Sequence, residues 1–222
     1  YTLCDHISTM ATLAHIRHDM DVTDKFYEGE QAYYDEKMPL LTGLILSYQK
    51  QLYHSPHRPF LEEKLGAVAF RNMELAFRSF DDRIIGLKQE ENSLVSRYMD
   101  LIASAKIHFH GEELNLSLLG KYLTGADRAV RREALMASEG WFQDATEQID
   151  EIFDQLVKNR TAQAHALGYE NFVSMGYDRM SRNCYDQEMV RVFRDQVKRS
   201  LVPFVDRLQR RRAARIGVDR LE

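Results

Sequence analysis

Apolar residues recur at helical spacing along almost the whole chain, and the period changes only once. Leu3, Ile7, Met10 and Ala14 share one face of a first helix that should end near Met20. Asp21 to Asp24 then reads as a turn with an N-cap candidate. Leu41, Leu44, Ile45, Tyr48 and Leu52 form the stripe of a second helix, with Pro39 kinking it or lying near a break. A connector from His54 to Pro59 leads into a third helix from Phe60 to about Ser79. Ile84, Leu87, Leu94, Tyr98 and Leu101 mark a fourth.

The change of period comes at Lys106–Ile107–His108–Phe109–His110, which alternates. Gly111–Glu112 can turn, and Leu114 and Leu116 alternate again, so a small β-hairpin is expected near 106–116. Beyond it, Asp127 caps a long helix that runs toward Leu167 with Phe142, Ile149, Ile152, Phe153 and Leu156 buried; Gly168 stops it. A short helix from Glu170 to Met175 leads into a loop rich in Tyr and Arg. Asp186 caps a last helix with the stripe Val190, Phe193, Val197, Leu201, Phe204 and Leu208, bent by Pro203. With only four prolines in 222 residues, long helices are unhindered. The expected fold is all-α, a bundle of long antiparallel helices with one hairpin. Residues 1–104 form one helical region, and residues 105–222 add the hairpin and the longest helices. Because the helical pattern is already running at Tyr1, the natural start is expected upstream.

Composition excludes several classes. A net charge of -4 does not attract nucleic acid, and Arg210–Arg211–Arg212 suits the dipole at a helix end. No apolar run approaches the ~20 residues of a membrane span, and no signal peptide is visible. Cys4 and Cys184 are isolated, which suits reduced thiols in a cytoplasmic protein. Helical zinc hydrolases need His-Glu-x-x-His, which sets two imidazoles on one face beside a carboxylate; it is absent here. His15 and His18, one turn apart, read as exposed helix positions. His108 and His110 point to one side of a strand but have no third ligand at a fitting spacing, so a solvated hairpin face is expected. A Gly-x-Ser-x-Gly elbow and a Gly-rich phosphate loop are also absent.

Leu167–Gly168–Tyr169–Glu170–Asn171–Phe172, then Met175–Gly176–Tyr177–Asp178–Arg179–Met180, Arg182 and Tyr185, resemble the oligoendopeptidase F family, which belongs with the thimet-type oligopeptidases. Asp127–Arg128 with Arg131–Arg132, Leu156 to Arg160, Val192–Phe193–Arg194 and Leu201–Val202–Pro203 extend the resemblance. So do Phe26–Tyr27, Ser55 to Arg58 and Phe109–His110–Gly111, which carry it over nearly the whole chain. The resemblance implies a cytoplasmic zinc peptidase that cuts short peptides in a channel between helical halves. Its zinc motif would lie downstream of Glu222, so the resemblance carries over no catalytic or metal-binding residue and no zinc bound by this chain. It implies partnership with an oligopeptide substrate and a downstream catalytic domain. At most Tyr177, Arg179, Arg182 and Tyr185 would face the channel, reading peptide backbone or a carboxylate terminus; the alternative is that they pin one helix pair to the next. A helical interaction module without activity is the rival function, and a metal-binding protein built on His108 and His110 a weaker one.

Overall fold

The structure, a computed structural model, describes residues 2–219. It is an all-α bundle with a two-stranded antiparallel sheet. Helices α1 (Thr2–Met20) and α2 (Lys25–Tyr53) pack together across a tight turn. Asp24 caps α2, its carboxylate accepting from the Phe26 and Tyr27 N–H groups.

Helix α2 passes through Pro39 without a break. Proline has no N–H for the carbonyl four residues back, here Asp35, and its ring pushes that carbonyl away. The amide of Asn92 donates to the Asp35 carbonyl at 3.0 Å, and Gln89 donates to the neighbouring Glu36 carbonyl at 2.7 Å. Both come from α5 (Ile85–Ala103). A neighbouring helix thus supplies the hydrogen bonds that Pro39 costs, and α2 and α5 are locked in register.

The expected third helix is two helices, α3 (Arg58–Leu65) and α4 (Ala67–Ser79). Gly66 divides them at φ 87, outside the helical region and open to few other residues. A 3-10 turn (Asp82–Ile84), capped by Asp81, feeds α5. Strands β1 (Ile107–Phe109) and β2 (Glu112–Leu114) pair with Ile107 opposite Leu114, and His110 (φ 50) and Gly111 (φ 83) make the turn. Helix α6 (Leu116–Leu123) follows, capped by Asn115.

Helix α7 (Arg128–Ala166) is 39 residues long and is capped by Asp127. It ends as expected at Gly168, φ 83. Tyr169 N–H reaches the Ala164 carbonyl at 2.9 Å and Gly168 N–H the His165 carbonyl at 3.0 Å, which satisfies the last turn. Helix α8 (Phe172–Arg179), capped by Asn171, starts and ends later than the expected 170–175. After α9 (Gln187–Gln196), capped by Asp186, the chain forms a π-helical turn at Val197–Leu201 and continues as α10 (Val202–Ile216). Where a bend at Pro203 is expected, the chain shows this π-helical turn just before the proline. The Val202 N–H bonds five residues back to the Val197 carbonyl, and the wider turn makes room for the proline ring.

Two cores hold the bundle. Leu46, Phe80, Ile84, Ala164 and Met175 join α2, α7, α8 and the segment that follows α4. Ile107, Phe109, Leu114, Leu119 and Ala134 seat the hairpin and α6 on α7. Several stripe residues expected inside are exposed instead: Leu3, Met10, Leu44, Tyr48, Phe142 and Phe153. The last helix differs most, for Phe193, Leu201, Phe204 and Leu208 all lie open to solvent. Periodicity identifies an apolar face but not what covers it. On α7 the buried seam is Ala145, Ile152, Asn159 and Gln163, which is polar where it meets α5.

Candidate functional site

The four channel candidates come from α8 and the loop after it, and they split into two groups. Tyr177 and Arg179 are two residues apart on a helix and so face different ways. The Arg182 guanidinium lies 4.3 Å from the centre of the Tyr177 ring and 5.6 Å from that of Tyr185. The chain doubles back to allow this, with Ser181 at φ 53 and the Arg182 N–H on the Tyr177 carbonyl at 3.1 Å. Tyr177, Arg182 and Tyr185 therefore form a stacked group, and Tyr185 is exposed. A guanidinium lying over aromatic rings keeps its edge donors for further hydrogen bonds.

Arg179 belongs elsewhere. Its Nη1 donates to both oxygens of Glu91 on α5, at 3.3 and 3.2 Å. Glu91 is only 3% exposed, yet it also accepts from Lys88 Nζ at 2.6 Å, Arg160 Nε at 2.8 Å and Gln163 Nε2 at 3.0 Å. Burial alone would raise its pKa. The hydrogen bonds from Lys88 and Gln163 and the charges of Lys88 and Arg179 outweigh burial and bring it down to about 2. Asn159 extends the network, donating to the Leu87 carbonyl at 3.0 Å and to Glu90 at 2.7 Å. One carboxylate thus ties α5, α7 and α8 together. Sequence reading missed Glu91, because a glutamate inside a helix ordinarily faces water. The available signal was on α7: two amides, Asn159 and Gln163, one turn apart on an otherwise apolar seam.

The histidines are placed differently from expectation. His15 is exposed and meets Gln31 Oε1 at 2.5 Å, whereas His18 is buried, with Nε2 3.5 Å from Asp100 Oδ1 on α5. A face expected in water is therefore partly an interhelical contact. His108 and His110 do not share a strand face. The positive φ of His110 turns it out of the strand, where it stacks on Phe109 and reaches Glu133 on α7 at 3.1 Å. Among the described residues no group of three His, Cys, Asp or Glu side chains is arranged to hold a metal ion. The residues present do not fit a catalytic zinc. Among them, too, no helix is long and apolar enough to cross a membrane.

Residues 1–80 match the model of the peptidase M3 N-terminal domain. No curated protein sequence matches the chain. Solved structures match it closely. A structure described as an oligoendopeptidase F from Bacillus anthracis str. Ames is 41% identical over 100% of this chain, with a TM-score of 0.93. PZ peptidase A with an inhibitor is 43% identical over 100% of the chain, with a TM-score of 0.94. A further oligoendopeptidase F structure is 42% identical over 98%, also at 0.94. The chain spans 39–41% of the length of these proteins. By sequence over its whole length and by fold, this chain belongs to the oligoendopeptidase F family.

Proposed function

We propose that the chain forms one helical wall of the substrate channel in a zinc peptidase that hydrolyses short peptides in the cytoplasm. The observation that carries this reading is identity above 40% along the whole chain to oligoendopeptidases in which it corresponds to about two fifths of the length. In this reading the zinc and its activated water belong to the remaining part of the enzyme, and no chemical step falls to these residues. Their task is to enclose the substrate, so that only a short, unfolded peptide reaches the metal. The Tyr177–Arg182–Tyr185 stack is the part of the wall suited to hold peptide backbone, and Arg179 is the pin that fixes α8 behind it.

Two results test this. The purified chain should bind no stoichiometric zinc and leave a quenched fluorescent peptide uncut; chelator-sensitive cleavage by the chain alone would contradict the reading. In the complete enzyme, R182A should raise KM about tenfold with kcat little changed, because a contact made equally in ground and transition states is lost. Unchanged KM and kcat would remove the stack from the channel.

A further inference from the structure

Lys88, Arg160 and Arg179 converge on the single carboxylate of Glu91, and even with Glu90, which Asn159 ties into the same network, the cluster carries one positive charge more than negative ones. A carboxylate offers about four acceptor sites. Lys88, Arg160, Gln163 and Arg179 already occupy them. Further donors on the three cations remain unspent, since an ammonium has three and a guanidinium five. Lys88 and Arg179 both line a cavity of about 340 Å3 between α2, α4, α5 and α8. Its wall includes Ser79, Asn92 and Ser181, the last held at φ 53.

The wall also contains Asp178, but that carboxylate has its own partners. Tyr169 donates to it at 2.6 Å, and Arg78 lies 3.3 Å away. It does not neutralise the Glu91 cluster. Lys88 shows the consequence: burial lowers its pKa, and the charges of Arg179 and Arg160 push it the same way against the pull of Glu91. A partly buried cluster with excess charge of one sign attracts a counter-ion of the other.

We propose that this cavity is an oxyanion site, in which a carboxylate or phosphate group is held by Lys88 Nζ and the Arg179 guanidinium. Its occupant is a free small oxyanion or an acidic side chain from the rest of the enzyme; both offer the same chemistry. The site stands independently of the channel reading, because it needs only the cluster and the cavity.

Thermal unfolding with inorganic phosphate, against sodium chloride at equal ionic strength, tests it. Phosphate at about ten times its Kd should raise the midpoint by about 3–6 °C, and the rise should saturate. K88M should abolish the rise and K88R should retain it. Equilibrium dialysis of the unaltered chain with labelled phosphate gives the stoichiometry without any variant, one per chain being expected. The same melt on the complete enzyme separates the sources. Protection there as well identifies a free oxyanion, and protection of the chain alone identifies an acidic side chain already in place. A rise that chloride matches, a rise that K88M keeps in full, or no phosphate bound in dialysis would each overturn the proposal.

Discussion

Replacing Glu91 with alanine should destabilise the fold by roughly 2–4 kcal/mol, somewhat below the cost of leaving a charge fully buried and unpaired, because the cations left behind are partly solvated. Here three cations lose that partner together, and they belong to three helices. Lys88 lies on α5, Arg160 on α7 and Arg179 on α8, so the loss loosens the docking of all three. Gln163 is also left without an acceptor. Urea unfolding followed by circular dichroism reads the effect directly, and a loss below about 1 kcal/mol would show that the cluster is idle.

The pH dependence carries the same signature with a definite sign. Glu91 has its pKa lowered from an ordinary 4.5 to about 2. A carboxylate whose folded pKa is depressed contributes stability that is fully present above its unfolded pKa and is lost as pH falls through the folded one. The window is therefore about pH 4.5 down to about 2, and the contribution lost is on the order of 3 kcal/mol. Asp100 works in the opposite direction: burial raises its pKa, so its protonation on acidification favours the fold. In E91A the acid slope across that window should flatten.

Much of the fold was legible because it depends on local chemistry. Asp24, Asp127 and Asp186 each cap the helix they precede, since a short carboxylate before a helix meets its free N–H groups. Gly168 was legible because few other residues tolerate the backbone that ends α7. The hairpin was legible as the one change of period. What escaped depends on partners distant in sequence. Nothing near Pro39 reveals that Asn92 and Gln89 repair its helix. Nothing near Glu91 reveals Arg160, Gln163 and Arg179. The four channel candidates sat close in sequence, but α8 turns Arg179 toward Glu91 and leaves the other three stacked together.

The largest expected effect concerns the arm made by α9 and α10. It packs mainly on itself and on the π-helical turn that joins them. Phe193 is 64% exposed and Phe204 54%. Groups of that size gain about 1.5–3 kcal/mol each when fully buried. The arm is also strongly basic: residues 187–216 hold nine Lys and Arg against three Asp and Glu, in a chain whose net charge is -4. A surface both apolar and basic fits a partner surface that is apolar with an acidic rim. In the channel-wall account that partner is the catalytic part of the same enzyme. The account then expects the chain alone to self-associate more than its charge suggests, and it expects the association with the catalytic part to weaken as salt is added.

The most direct measurement is sedimentation combined with cleavage of a quenched fluorescent peptide, with and without the catalytic part of an oligoendopeptidase F added as a separate chain. The account predicts that each part alone is inactive. The mixture should sediment as a complex and cut the peptide in a zinc-dependent, chelator-sensitive way. A chain that stays monomeric, neither binds the catalytic part nor gives it activity, and leaves a catalytic part fully active by itself would contradict the account and make this chain a module in its own right.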